Sequence, residues 1–322
     1  MAWYNGYRKP SFTAAGHPDK RKGVSGNGNQ ATLVGVLYSL LLTAFTLYLL
    51  LDTFVISRVY AVSPPESSPE KTDSSAADAE VSPNTYSDGN ITIAITEYRI
   101  HDTTVYAADI TLSSPEYLKT AFAQNAYGRN VTAKTSETAA AAGALLAING
   151  DYYGARSSGY VIRNGVLYRS TASRGQEDLV IYADGSLGIV CEDDITAEEL
   201  LEDGAVQVLS FGPALIADGA IAVSEGEEVG KAKASNPRTA IGIIDDLHYV
   251  FVVSDGRTEE SEGLSLVQLA EFLSDLGAVT AYNLDGGGSS TMVFNGKVIN
   301  NPTTNGSRIQ ERSVSDIVYI GY

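Results

Sequence analysis

Cysteine and histidine are nearly missing from this 322-residue chain, which has one of the first and three of the second. A lone Cys191 permits no disulfide within the chain. It is followed by Glu192-Asp193-Asp194, which supplies no base to activate a thiol, so it reads as a small hydrophobe at a strand end. His17 lies in the N-terminal tail, while His101 and His248 stand alone beside strand patterns. A Ser–His–Asp or Cys–His nucleophile system therefore has few members to draw on, and a histidine-rich zinc site has none. Positive charge is scarce too: 22 Lys and Arg face 39 Asp and Glu, for a net charge of −17. Residues 1–30 are themselves basic, with Arg8, Lys9, Lys20, Arg21 and Lys22 against Asp19. The acidity thus belongs to the rest of the chain, and so acidic a body repels phosphate backbones, which excludes nucleic acid as a partner. Catalysis has to rest on carboxylates, amides, hydroxyls, arginines and backbone amides.

Charge is absent altogether from residues 31–51, ATLVGVLYSLLLTAFTLYLLL. About 20 apolar residues cross a bilayer core as a helix, whereas the apolar core of a cleaved leader is about 7–15 residues long and ends at a small-residue cleavage site. Here the apolar run resumes after Asp52 with Thr53-Phe54-Val55-Ile56 and no cleavage motif precedes Ser57. Residues 31–56 therefore read as a transmembrane anchor in contact with the lipid bilayer. Five basic residues precede it and only Arg58 follows closely, which predicts a cytoplasmic N-terminus and an extracellular C-terminal domain at the cell membrane. The tail, 1–30, reads as disordered. Residues 57–89, rich in Ser, Pro, Glu, Asp and Ala, read as a disordered spacer.

From Asn90 the pattern is that of a folded domain, 90–322. Residues 91–96 alternate with period two, as a half-buried strand does. Hairpin turns are expected at Asn164-Gly165, Asp184-Gly185, Asp218-Gly219 and Asn295-Gly296. The unbroken apolar run Val250-Phe251-Val252-Val253 predicts a strand covered on both faces. Helices are few: 135–143 with Ser136 as N-cap, a short acidic one at 197–202, and 265–276, whose Leu266, Leu269, Ala270, Leu273 and Leu276 fall at helical spacing before Gly277. The expected class is α+β, a mixed β-sheet core with a few packed helices, preceded by a single transmembrane helix.

Chemistry concentrates where strands end. In Tyr282-Asn283-Leu284-Asp285-Gly286-Gly287-Gly288-Ser289-Ser290 a strand runs into a carboxylate, three glycines and hydroxyls. Glycines let backbone amides approach a ligand, and successive amides form a nest for anionic oxygens, with Asp285 placed to act on what is held. The run is neither a dinucleotide fingerprint nor a P-loop. Asn149-Gly150-Asp151-Tyr152-Tyr153 ends another strand with an amide beside aromatic rings, a pairing that suits sugars but equally suits a tight turn with tyrosine packed on the core. Arg238 precedes a strand and offers fork-shaped recognition of phosphate, or an ion pair with an Asp. Asp255-Gly256-Arg257 follows the buried run, at a site rim or in a β-turn. Asp255 and Asp285 could also hold a divalent cation, with Ca2+ or Mg2+ favoured over Zn2+ in oxygen-rich, histidine-poor surroundings. Nothing in the sequence requires a cofactor.

Asn149-Gly150 before two aromatics, Pro237-Arg238-Thr239-Ala240-Ile241-Gly242, Asp255-Gly256-Arg257, the 263–276 helix, Asn283 to Ser290 and the closing Arg312-Ser313-Val314 occur in one order along the chain. In that order they resemble the phosphodiester glycosidase family, over roughly Asn90 to Tyr322. The resemblance implies hydrolysis of a sugar-1-phosphodiester, typically of N-acetylglucosamine, here in envelope or exopolysaccharide glycans. It implies Asp285 first and Asp255 second as catalytic carboxylates, and Arg238 as the holder of the phosphate. Asn149, Gly150, Tyr152, Arg257, Asn283, Gly286, Gly287, Gly288, Ser289, Ser290 and Arg312 would bind or position the substrate. Two other readings stay open: a phosphodiesterase that cuts P–O bonds in wall polymers, and a non-catalytic polysaccharide-binding module.

Overall fold

A computed structural model describes residues 28–62, 79–229 and 235–322. The tail expected to be disordered lies outside the described residues up to residue 27. The chain divides into two units, one ending at Thr53 and one running from Phe54 to Tyr322. The first holds all but the last residue of α1, Gly28–Phe54. At about 1.5 Å per residue its 27 residues are long enough for a bilayer, and Leu33–Phe54 has a mean hydropathy of 2.1. It has no polar stripe: the hydroxyls of Ser39, Thr43 and Thr46 each donate to the carbonyl four residues earlier. These three hydroxyls are therefore satisfied within the helix.

The second unit is dominated by sheet, with three short α-helices among the described residues, and has the expected α+β character. Among the described residues the ladders between named strands are all antiparallel. The largest sheet has nine strands. At its centre His248–Ser254 pairs with Thr239–Asp245 on one side and Thr103–Leu112 on the other. Alternation along these strands feeds two cores. Tyr249, Phe251 and Val253 join Ile241 and Ile243 in one cluster, whereas Val250 and Val252 join Ala240 in another, which α4 (Leu266–Asp275) covers with Leu266, Leu269, Ala270 and Leu273. The 250–253 run is apolar throughout because both of its faces are buried.

A five-stranded sheet contains Leu146–Asn149, flanked by Met292–Phe294 and Asp316–Ile320. Its Leu146, Ile148, Val318 and Ile320 enter the first cluster, as do Leu179, Ile181 and Leu209 from a further five-stranded sheet. α2 (Thr135–Ala142) packs on the opposite face of the second sheet through Ala139. α3 spans Ala197–Glu202 behind a Thr196–Glu199 capping box, and α4 starts from a Ser265–Gln268 box.

All four expected hairpin turns form. Three carry positive φ at both turn residues: Asn164-Gly165, Asp218-Gly219 and Asn295-Gly296. At Asp184-Gly185 only the glycine does. Two expectations need correction. Ser136 is not the N-cap of α2, which begins a residue earlier behind Lys134; its amide and hydroxyl instead donate to Glu311 at 3.0 and 2.6 Å. The spacer of 57–89 is not unstructured throughout. Arg58–Val62 pairs with Ala126–Arg129, and Glu80–Val81 and Thr85–Ser87 extend the nine-stranded sheet. Tyr86 explains the second case, since it buries its ring in the main core. Residues 63–78, the most Pro-, Ser- and Glu-rich part, lie outside the described residues.

Candidate active site

The strand Thr280–Asn283 of the large sheet and the strand Leu146–Asn149 of the second end side by side. Leu284 donates its amide to Thr239, and Asp285 donates its own to the Gly150 carbonyl at 3.2 Å. Asn149 is fully buried and ties three segments together. Its amide nitrogen donates to the Asp285 carbonyl at 2.6 Å, and its oxygen accepts from the Thr239 hydroxyl at 2.8 Å and the Thr291 amide at 3.2 Å. It fixes the turn from behind rather than facing a ligand. Gly150 is glycine for space: a Cβ would stand 2.3 Å from the Asp316 carboxylate. Tyr152 is 46 % exposed at the surface, whereas Tyr153 is buried. Asn283 is also turned inward, donating to the Gly212 carbonyl at 2.8 Å.

Beyond Asp285 the chain makes one 3-10 turn, Gly287–Ser289. The amides of Gly287, Ser289 and Ser290 are spent on the carbonyls of Pro237, Gly286 and Gly287. The expected nest of free amides is therefore not built from these three. The glycines serve close approach instead. A Cβ on Gly286 would stand 2.9 Å from the Pro237 carbonyl, one on Gly287 2.7 Å from the Arg257 guanidinium, and one on Gly288 2.5 Å from the Thr304 hydroxyl. Gly287 also has φ +64, a left-handed conformation that glycine adopts without strain.

Asp285 itself is held by side chains. The Ser289 hydroxyl donates to it at 2.6 Å, and Nη2 of Arg312 lies 3.1 and 3.3 Å from its two oxygens while also donating to Ser289. Burial raises the Asp285 carboxyl above the usual range, and Arg312 and Ser289 pull it back. Arg312 is clamped in turn. Its amide donates to the Gly288 carbonyl, and its neighbour Glu311 is fixed by Ser136 at the start of α2. Arg257, in a left-handed conformation at φ +63, donates to Asn236 at 2.9 Å and to the Thr304 carbonyl at 2.5 Å. Burial lowers its pKa first, and the charges of Arg312 and Arg238 lower it further, so three guanidinium groups gather here.

Arg238 needs correction as the holder of phosphate. Its guanidinium is buried, pairs with Glu228 at 2.5 Å and donates to the Leu264 carbonyl at 2.9 Å, although its backbone packs beside Gly286. Asp255 accepts from Asn301 at 2.8 and 3.0 Å and from Asn300 at 3.3 Å, and Asn300 also donates to the Ser290 carbonyl. The loop after Ile299 thus links Asp255 to the glycine turn. Neither carboxylate belongs to a group of three His, Cys, Asp or Glu side chains suited to a metal among the described residues. Asn300, Asn301, Thr304 and Glu311 were missed in the sequence, because their roles come from a loop folded back over the turn; the adjacency of Glu311 to Arg312 was the one local hint.

The model of the phosphodiester glycosidase family matches residues 142–321, more than half of the chain, including Asn149, Asp255, Arg257, the Asp285 turn and Arg312. The chain belongs to the phosphodiester glycosidase family. Among curated relatives, the human N-acetylglucosamine-1-phosphodiester alpha-N-acetylglucosaminidase is 32 % identical over 188 residues, which is 53 % of this chain and 36 % of that protein. The mouse enzyme is 31 % identical over 188 residues, with 53 % and 36 % covered. The SPbeta prophage-derived protein YomE of Bacillus subtilis is 32 % identical over 185 residues, 55 % of this chain and 28 % of that one. The matched region spans about a third of the length of these curated relatives. In fold, the chain is similar to the catalytic domain of the zebrafish N-acetylglucosamine-1-phosphodiester alpha-N-acetylglucosaminidase, auto-inhibited by its pro-peptide. The TM-score is 0.58 and the identity 23 %, covering 83 % of this chain and 89 % of that one. A hypothetical protein from Synechocystis gives a TM-score of 0.55 at 16 % identity, covering 72 % of this chain and 62 % of that one. In this phosphodiester glycosidase family member, then, the site is a carboxylate gripped by an arginine and a serine, with a second arginine close beside it.

Proposed function

We propose that this protein hydrolyses the bond between a sugar, of the N-acetylglucosamine type, and the phosphate of a phosphodiester. The observation that carries this reading is the grip of Arg312 and Ser289 on Asp285 beside Arg257, inside the region that matches the family. A phosphate monoester leaves far more readily than a sugar hydroxyl, so little acid assistance is needed. What it needs is positive charge where negative charge develops. Arg257 is suited to that role, because its hydrogen bonds to Asn236 and Thr304 orient it through neutral oxygens that leave its charge unspent. Asp285 then directs water or stabilises the oxocarbenium-like transition state, and Asp255, linked to the glycine turn through Asn300, is the second candidate carboxylate. Asn149 and Asn283 act as positioning residues behind the turn.

The context is part of the proposal. α1 serves as a single-pass anchor, with the N-terminus cytoplasmic and the domain extracellular, and the substrate is an envelope or exopolysaccharide glycan. In support, Leu33–Phe54 is apolar enough to cross a membrane and basic residues precede it. The test uses the full chain in a neutral detergent with N-acetylglucosamine 1-(methyl phosphate) in ¹⁸O-labelled water. Free sugar carrying the label is expected. Label in the phosphate would assign P–O cleavage, and binding without turnover would assign a polysaccharide-binding module; either result overturns the proposal.

A further inference from the structure

Beside the pairing of Arg58–Val62 with Ala126–Arg129 opens a cavity of about 230 Å³. Three tyrosines, Tyr60, Tyr127 and Tyr153, and three arginines, Arg129, Arg156 and Arg169, line it, and among the described residues no carboxylate does. None of its lining residues comes from the Asp285 turn. In a chain of net charge −17, such a concentration of guanidinium groups is a local feature with a local cause.

Arg156 and Arg169 are oriented without being neutralised. Arg156 donates to the side-chain oxygen of Gln176 and the carbonyl of Ser210, each at 3.2 Å. Arg169 donates to the carbonyls of Gly159, Tyr153 and Arg156, and its Nη2, buried, has no hydrogen-bond partner. Arg163 is the contrast. Its guanidinium lies 5.8 Å from the Tyr153 ring centre, yet it is matched by both Asp151 and Asp316. A guanidinium fork held by neutral oxygens keeps its charge for an external anion. The walls add flat apolar surface: Tyr127 and Tyr153 stack at 5.3 Å and 19°, and Tyr60 stands 6.0 Å from Tyr127. The volume is below the ~300–1,000 Å³ of drug-sized sites, which suits one ring with one anionic group and excludes an oligosaccharide or an acyl chain.

We infer that this cavity binds a phosphate-bearing monosaccharide unit, with the ring against the tyrosines and the phosphate between Arg156 and Arg169. The site is separate from the Asp285 turn and does not depend on the reaction proposed there. The full-length protein in neutral detergent is titrated calorimetrically with glucose 6-phosphate, which contains no phosphodiester. Saturable 1:1 binding is expected and is retained in Arg312→Gln. In Arg156→Gln/Arg169→Gln affinity falls at least roughly tenfold, as loss of charge-assisted contacts implies. Ser157→Trp, which adds bulk from an exposed lining position without touching the core, lowers affinity to the same extent and serves if the double variant does not fold. Any of four results overturns the inference: no binding by the wild type, unchanged affinity in Ser157→Trp, loss in Arg312→Gln alone, or equal competition by phosphatidylglycerol bicelles, which would assign the pocket to a lipid headgroup.

Discussion

Arg312 meets Asp285 at 3.1 Å, and Arg163 meets Asp151 at 2.9 Å and Asp316 at 2.7 Å. The chemical groups are the same and the spacings nearly so, but 41 % of the Arg312 side chain is exposed against 2 % of that of Arg163. The two assemblies are neighbours: Gly150 contacts Asp285 through its carbonyl, and Asp151 follows it. What differs is the solvent each arginine faces. Arg163 is sealed among its partners, and a buried charge of this kind is tolerated only while every partner is present. Arg312 has a free side toward solvent, so its charge and that of Arg257 are available to a ligand. An ion pair alone therefore says little about function. Its exposure, and whether further positive charge lies close by, separates a site from a strut.

Breaking the exposed pair should abolish chemistry and leave the fold intact. Asp285→Asn is expected to lower kcat by about 10²–10⁴-fold, the range for loss of a positioned acid–base group, with no fall in the urea midpoint. Because burial raises the Asp285 carboxyl, the acid limb of the wild-type pH–rate profile should lie above the usual carboxylate range. Unchanged turnover in this variant would remove the distinction between the two assemblies.

Breaking the sealed assembly should do the reverse. Arg163→Met leaves Asp151 and Asp316 buried with no counter-charge and is expected to cost ~3–5 kcal/mol of stability, measured by urea denaturation. The molecules that remain folded should keep kcat within about threefold, well inside the tenfold that 1.4 kcal/mol represents. A large kcat loss at full stability would make Arg163 part of the chemistry.

The glycine turn lies between these extremes. A Cβ on Gly288 would stand 2.5 Å from the Thr304 hydroxyl and 3.1 Å from the Thr304 Cα. Gly288→Ala must therefore push the loop away from Arg257, which donates to the carbonyl of the same threonine. A loss of ~1–3 kcal/mol is expected, together with a raised KM for the phosphodiester. An unaffected KM would detach the loop from substrate binding.

Much of this was legible in the sequence for reasons of period and turn chemistry. Alternation at 91–96, the apolar run at 250–253 and the Asn-Gly and Asp-Gly pairs located strands and hairpins, because those signals act within a few residues. Asp285 and the glycines were legible as a strand end that a plain hairpin would not need. Which arginine meets Asp285 was not. Arg238 and Arg312 look alike in sequence, and only Glu228 beside the first and Ser289 beside the second tell them apart. Asn300 and Asn301 were hidden for the same reason, as their partner Asp255 lies more than 40 residues earlier in the chain. The start of the domain was misjudged because Thr85–Ser87 is short and polar at its edges, and its one buried anchor is Tyr86.

The smallest effect is a slope, and it concerns the sealed side alone. Asp178 is buried, and its carboxyl is pushed up to about 10, first by burial and then by the charge of Glu192. The unfolded chain releases that proton near ~3.9, so between about pH 4 and pH 10 the native state holds one proton more than the unfolded state. Stability from this group is complete below the lower value and declines as pH rises toward the upper one, by at most ~1.4 kcal/mol per pH unit. Asp178→Asn mimics the protonated acid and cannot titrate. Urea midpoints at pH 6 and pH 8 should therefore fall less in the variant than in the wild type. Equal falls would mean that Asp178 is ionised in the native protein instead of the neutral acid inferred from its burial beside Glu192.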